Sequence, residues 1–352
     1  MLTDLMVVDF TWNLSGLYCT KRLADLGAEV IRIEAYAEGD LGRKGRAGTA
    51  GETSLLPQRS ANHRKRVGLN LRTPVGRELA FALAAQADVV VESFRPGVMH
   101  HLGLDYDSLV QANPGLIYCS ITGYGQTGTM HQLGGHDLNI QAVSGFLAEN
   151  CDSDGVPIVG MLPISHYACG LYGAEQICAA LVQSKRRGGG SYLDIAAADL
   201  LADWLNTHAE MQGAQNGERD LFPLKGRINY QVYETADGRY VALAAPEEKY
   251  WLNFCHAVGR ADWELLTDLR IAVSPEIYEE MKTLFLTRTQ AEWSELGAEV
   301  DCCLTAVEEM DMDHGHVHAV SWYGEDTYEV LRQKLQCSEK QMKQYAQNGI
   351  IP

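Results

Sequence analysis

The first thirty-odd residues constrain the fold more than any other stretch. Leu5-Met6-Val7-Val8-Asp9 is a short apolar run of strand length. Asn13, Ser15 and Gly16 break that pattern, and residues 17–26 then carry Leu17, Leu23 and Leu26 at helical spacing, with Gly27 suited to close the helix. Val30, Ile31 and Ile33 form a second apolar run, which also carries Arg32 and Glu34. Strand, helix and strand in this order make a β-α-β unit, the seed of a doubly wound parallel sheet. The first turn of the unit lacks G-x-G-x-x-G, so it does not carry the dinucleotide fingerprint.

The alternation continues downstream. Residues 36–62 are rich in Gly, Arg, Ser and Thr and read as a long loop. His63-Arg64-Lys65-Arg66 then precedes a strand at Val67–Leu71, and reads either as a phosphate clamp or as a solvated run of charge. Thr73 and Pro74 open a helix ending near Gln86, and Asp88 to Glu92 is a second buried strand. Phe94-Arg95-Pro96-Gly97 follows it, at the end of the strand where open α/β sheets bind ligands. A helix near 106–112, a strand from Leu116 to Thr122, a long helix from Ser165 to about Ser184, a strand from Ser191 to Ile195 and a helix from Ala196 to Met211 complete a large domain over 1–211. Residues 212–228 read as a linker. A smaller α+β domain over 229–324 contains a hairpin about Asp237-Gly238, helices near 247–258, 275–286 and 290–297, and a strand from Asp301 to Ala306. The tail reads as one amphipathic helix over 327–347, with 325–352 returning to the large domain.

Gly134-Gly135-His136-Asp137-Leu138-Asn139 is the stretch the chemistry centres on. Two glycines permit a turn that residues bearing a Cβ resist. Apolar residues at 138, 142 and 143 then suggest a short helix, with His136 at its N-terminus. The positive dipole end disfavours an imidazolium and leaves the ring neutral, as a general base requires. Plain helix capping is the other reading. His314, His316 and His318 alternate beside Asp313, either as a metal site or as surface residues.

Composition narrows the partners. With 29 basic and 46 acidic residues the net charge is −17, which argues against bulk binding to nucleic acid or anionic membranes. No window approaches the length of a membrane span, no signal pattern opens the chain, and nine cysteines occur without a C-x-x-C pair. These features predict a reduced, cytoplasmic protein without a metal.

Taken together, several fragments resemble the family III CoA-transferases (CaiB/BaiF), most closely their α-methylacyl-CoA racemase branch. They are Gly16 to Glu34, Arg64-Lys65-Arg66 before V-x-L-N-L, Glu92-Ser-Phe-Arg-Pro-Gly97, Asn113 to Tyr118 with Gly123 to Gly128, Gly135 to Asn139, Tyr233 to Gly238 and Asp301 to Ala306. The resemblance implies a Rossmann-like large domain, a smaller α+β domain and an interlaced, threaded-ring homodimer. It also implies an acyl-CoA or other pantetheine thioester as partner. Coenzyme A then enters as part of the substrate, with no permanent cofactor. By position, Arg32, Arg64, Lys65 and Arg95 would meet the CoA, His136 would be one catalytic base and Glu247 would support it.

One departure from the pattern matters. The family's second catalytic group is an aspartate at a helix start, and that place here holds Ser165, in Ser165-His-Tyr-Ala-Cys-Gly170. Racemisation needs acid–base groups on two faces of the α-carbon, and a serine hydroxyl serves only if a neighbour activates it. His166 is adjacent, but lies about 100° around a helix from Ser165. Three readings stand: α-proton chemistry on an acyl thioester, as racemisation or as a one-base isomerisation or decarboxylation; CoA transfer by an unexpected nucleophile; or an inactive acyl-CoA-binding subunit that pairs with an active relative. As a structural residue, Ser165 would be a helix N-cap.

Overall fold

A computed structural model describes residues 1–35, 64–152, 154–211, 224–310 and 323–352. The 36–62 loop, His63, most of the 212–228 crossing and the three histidines at 314, 316 and 318 lie outside the described residues. The chain divides into two units, Met1–His208 with Val317–Pro352, and Ala209–His316.

The first unit holds a six-stranded sheet of β1 (Met6–Phe10), β2 (Glu29–Ala35), β3 (Arg64–Leu69), β4 (Val89–Glu92), β5 (Ile117–Thr122) and β6 (Ser191–Ala196). The order is β3-β2-β1-β4-β5-β6 and every pairing is parallel. Strand order reverses between β1 and β4, so the crevice beyond their C-terminal ends is the place this topology offers a ligand. The connecting helices are α1 (Leu14–Asp25), α2 (Pro74–Ala84), α3 (Val98–Leu102), α4 (Tyr106–Val110), α5 (Asp137–Val143), α6 (Phe146–Glu149), α7 (Ile164–Arg187) and α8 (Ala197–Met211).

Strand residues alternate between two cores, as the two-residue period demands. Val7, Val30, Val91 and Ile121 face α1, α7 and α8. Val8, Ile31, Val90 and Tyr118 face α2 and the returning tail. The α1–α7 crossing is close because of Gly170. A Cβ built there would stand 2.6 Å from the Ser15 carbonyl oxygen and 3.1 Å from the Cys19 nitrogen.

The tail is two helices rather than one: α12 (Thr327–Leu335) and α13 (Glu339–Gln347). Gln336 takes a left-handed φ of 55°, and Ser338 starts a new helix by a capping box with Gln341. Heptad-like spacing cannot register such a break, because the apolar face resumes on the far side. Val330, Leu331, Met342, Ile350 and Ile351 fill the core over β3. The tail also answers backbone groups at the sheet edge: Arg66 N donates to Asp326 Oδ2 (2.8 Å), Gly68 N to Thr327 Oγ1 (2.9 Å) and Asn70 N to the Ile350 carbonyl (2.8 Å).

The basic run belongs to β3 itself, not to a loop before it, and the strand ends at Leu69 rather than Leu71. Its charges are tolerated because each has a partner on its own face, as set out below.

The second unit holds an antiparallel sheet of β7 (Tyr230–Glu234), β8 (Tyr240–Ala244) and β9 (Leu304–Ala306), with α9 (Glu248–Ala257), α10 (Pro275–Phe285) and α11 (Gln290–Val300). Its core stacks Tyr233 on Phe285 and includes Trp251, Phe254, Trp263 and Trp293. β9 starts only at Leu304, because Asp301 and Cys303 sit at positive φ (52° and 55°) and break the extended run.

Among the described residues no helix is long and apolar enough to cross a membrane. All nine cysteines are free thiols, and burial pushes Cys19 and Cys119 well up and Cys169 up to about 12.

Candidate functional site

The turns after β1 and β4 flank the point where strand order reverses, and Trp12 N donates to Ser93 Oγ (3.1 Å) to tie them together. Beyond them lies the His136 turn. His136 is the N-cap of α5, in extended conformation, and its backbone N–H donates to Asn139 Oδ1 (3.1 Å). Its ring is exposed.

The two glycines before it serve by size, not by conformation. Neither adopts a positive φ. A Cβ on Gly134 would stand 2.8 Å from Arg95 Nη2, and one on Gly135 would stand 2.5 Å from the Tyr124 hydroxyl. The missing side chains leave room for a guanidinium against Gly134 and a phenol against Gly135. Arg95, proposed from its place after β4, thus packs against Gly134, two residues before His136.

Ser165 is fully buried in the first turn of α7, whose N-cap is Pro163. It is therefore not the N-cap that the sequence suggests. Its N–H (2.8 Å) and its Oγ–H (2.6 Å) both donate to Asp137 Oδ1. Gln141 Nε2 donates to Asp137 Oδ2 (2.5 Å). A carboxylate one residue after His136 thus stands at the helix end where the resemblance looks for an aspartate. The sequence reading did not single out Asp137, although an acidic residue in the first turn of α5 was visible; its partner lies 28 residues away.

His166 is turned elsewhere. It is 7% exposed, and its Nδ1 lies 2.9 Å from Ser15 Oγ in the α1–α7 interface. The structure does not bring it to the Asp137–Ser165 pair.

The basic residues divide between the two faces of the sheet. Arg64 Nη2 lies 3.8 Å from the buried Asp9 Oδ2 and 3.4 Å from Thr20 Oγ1. Burial lowers the pKa of Arg64, and the Asp9 charge partly offsets this. Arg32, on the neighbouring strand, approaches Glu34 at 3.9 Å, and its buried Nε has no hydrogen-bond partner among the described residues. Lys65 points to the opposite face, held by Glu329 (2.9 Å) and Glu29 (3.4 Å). The structure therefore groups Arg32 with Arg64 but not with Lys65. Strand alternation imposes this on consecutive residues.

Glu92 is a second residue the sequence reading passed over, though an acid closing the run Val89-Val90-Val91 is an anomaly. It is 4% exposed at the C-terminal end of β4. Its Oε2 accepts from Phe94 N (2.7 Å), and its Oε1 accepts a short bond from Ser120 Oγ. Desolvation raises its pKa from 4.5 to about 7, against the lowering effect of both hydrogen bonds.

Glu247 lies in the second unit, where it is the N-cap of α9; its carbonyl accepts from Tyr250 N and Trp251 N at 3.1 and 3.2 Å. A cavity of about 280 Å³ beside the start of α8 is lined by Tyr124, Tyr172, Asp194, Asp199 and Asp203.

Residues 2–343 match the model of CoA-transferase family III. The chain is 32% identical over 319 residues to a Fusarium pseudograminearum protein named acyl-CoA transferase, covering 83% of this chain and 67% of that one. It is 29% identical over 324 residues to mouse alpha-methylacyl-CoA racemase, covering 90% of this chain and 80% of the relative. A crystal structure of a CAIB/BAIF family protein from Brucella suis superposes with a TM-score of 0.71 at 27% identity, covering 88% of this chain and 84% of that one.

Proposed function

Because this chain belongs to CoA-transferase family III, a family of enzymes whose members here include a named racemase and a named transferase, we propose that it removes the α-proton of a 2-methylacyl-CoA or similar thioester. His136 is the base for one face. Asp137 takes the duty of the aspartate replaced by Ser165 and serves the other face. The observation that carries this reading is the Asp137–Ser165 pair, with 2.6 Å between Oδ1 and Oγ. Ser165 is then a donor that orients the carboxylate, which its complete burial favours over a role as nucleophile. Arg95, beside the His136 turn, and the Arg32–Arg64 pair are the cations offered to the CoA phosphates, which an acidic protein must meet with local positive charge.

A second reading is CoA transfer, favoured by the same carboxylate. An Asp137 oxygen would attack the thioester carbonyl carbon and release CoA as the thiolate, leaving an acyl anhydride; the thiolate then attacks the Asp137 carbonyl, freeing the donor acid and forming an aspartyl-CoA thioester, and an acceptor carboxylate runs the same two steps in reverse to leave as the new acyl-CoA. The exposed apolar run before α7, including Val159 (67%) and Met161 (90%), is the surface a second copy would cover in a dimer.

The test is proton exchange. A 2-methylacyl-CoA incubated with the protein in deuterated water should lose its α-hydrogen, and His136→Ala should abolish exchange on one face. Exchange that survives unchanged on both faces removes the base assignment. Movement of CoA to an added carboxylic acid selects the transferase reading.

A further inference from the structure

Glu92, Ser120 and Asp194 form one rung across three neighbouring strands, since Glu92 is in register with Ser120 and Ser120 with Asp194. Two loops hang from this rung. On one side, Glu92 Oε2 accepts from Phe94 N, which fixes the turn carrying Arg95. On the other, Ser120 Oγ donates to Glu92 and accepts from Gln126 Nε2 (2.5 Å), while Gln126 N donates to the Asp194 carboxylate (3.0 and 3.2 Å). That second loop carries Tyr124. Arg95 and Tyr124 are the two side chains packed against Gly134 and Gly135.

We propose that Glu92 is a positioning residue: one buried carboxylate ties the Arg95 turn and the Gly123–Gly128 loop to the sheet, so that both supports of the His136 turn hold or loosen together. Its bearing on catalysis rests on His136 being the base; the mechanical coupling does not.

The coupling is proton-linked, and its direction follows from burial. With both loops closed, the carboxyl is desolvated and titrates near 7; with the loops open to water it returns to about 4.5. The closed state is therefore favoured at low pH, and opening becomes easier as pH rises through that window, with little further change above it. The titratable groups around Glu92 are Tyr118 and Cys119 on β5, Tyr192 and Asp194 on β6, and Tyr106 on α4, which packs on both tyrosines. β1 contributes the uncharged Phe10. Burial pushes Tyr118 and Cys119 up and Tyr192 to about 12, so these three stay neutral across the window. The Asp194 charge adds to the rise at Glu92.

Hydrogen-exchange mass spectrometry of the whole protein tests this without any ligand. Protection factors, corrected for the intrinsic pH dependence of exchange, are followed in peptides covering 93–98 and 123–136. In the unsubstituted protein both should fall together between pH 5 and 8, by up to roughly 100-fold where opening exposes Glu92 fully. Glu92→Gln should flatten both profiles. Ser120→Ala should flatten the 123–136 profile while 93–98 keeps its slope, a check that stands if Glu92→Gln does not fold. Peptides that titrate independently in the unsubstituted protein, or a slope that survives Glu92→Gln, overturn the proposal. Absence of α-proton exchange at every pH, with the coupled slopes intact, would count against the function and not against this coupling.

Discussion

Replacing Asp137 by Asn separates its two roles. The amide keeps an acceptor oxygen for the Ser165 N–H and Oγ–H, so the junction of α5 with the start of α7 keeps its shape. What goes is a negative charge at a helix N-terminus and the charge assistance of three hydrogen bonds, with the Gln141 amide turning its oxygen toward the new Nδ2, together about 1 kcal/mol. In a unit of this size that lowers the melting midpoint by roughly 2–4 °C, so nearly all of the protein stays folded. Loss of an acid–base group costs far more, on the order of 10²–10⁴-fold in rate. The assay is α-deuteration of the separate (2R)- and (2S)-2-methylacyl-CoA, with chiral analysis of the products. Asp137→Asn should stop interconversion, yet leave exchange with retention in the one enantiomer whose hydrogen faces His136. His136→Ala should leave the opposite enantiomer exchanging. If Asp137→Asn still interconverts the enantiomers at close to the normal rate, Asp137 is not the second group, and the contact with Ser165 is structural alone.

Other outcomes follow from the same geometry. Because burial raises the Glu92 carboxyl to about 7, its contribution to stability is complete below pH 4.5 and is lost as pH rises through 7. Glu92→Gln should remove about 3 kcal/mol of that pH dependence, read by urea denaturation at pH 4.5 and pH 8; an unchanged difference refutes it. Gly170→Ala puts a methyl 2.6 Å from the Ser15 carbonyl oxygen, where the neighbour is backbone and cannot step aside. Denaturant titration should show a loss of about 1–3 kcal/mol. Ser165→Ala removes one of the three donors to Asp137 and should cost about 1 kcal/mol, with a smaller fall in exchange than Asp137→Asn produces.

The parallel sheet was legible because β1, β2, β4 and β5 are compact apolar runs set between helical periods. The place of His136 at a helix start was legible because glycines and a short apolar spacing mark it locally. What escaped notice depended on distant partners. Arg64-Lys65-Arg66 scans as solvent-loving, yet it runs through a sheet, with Asp9, Glu34, Glu29 and Glu329 supplied from other elements. The glycines at 134 and 135 invite an argument from backbone freedom, whereas their use is to admit Arg95 and Tyr124, which no local pattern announces. Asp137 gains its meaning only through Ser165, and Glu92 only through the rung it shares with Ser120.

The returning tail has a consequence for synthesis. A ribosome delivers β1 to β6 and α8, then the whole of the second unit, before Val330, Leu331, Met342, Ile350 and Ile351 emerge to cover one face of the sheet. During that interval the α2 side of the large unit has a bare flank and an edge strand whose amides lack their tail partners. The later-made unit is contiguous in sequence and can finish first. The first unit begun is then the second to be completed, since α12 and α13, made after the whole of the other unit, close its core.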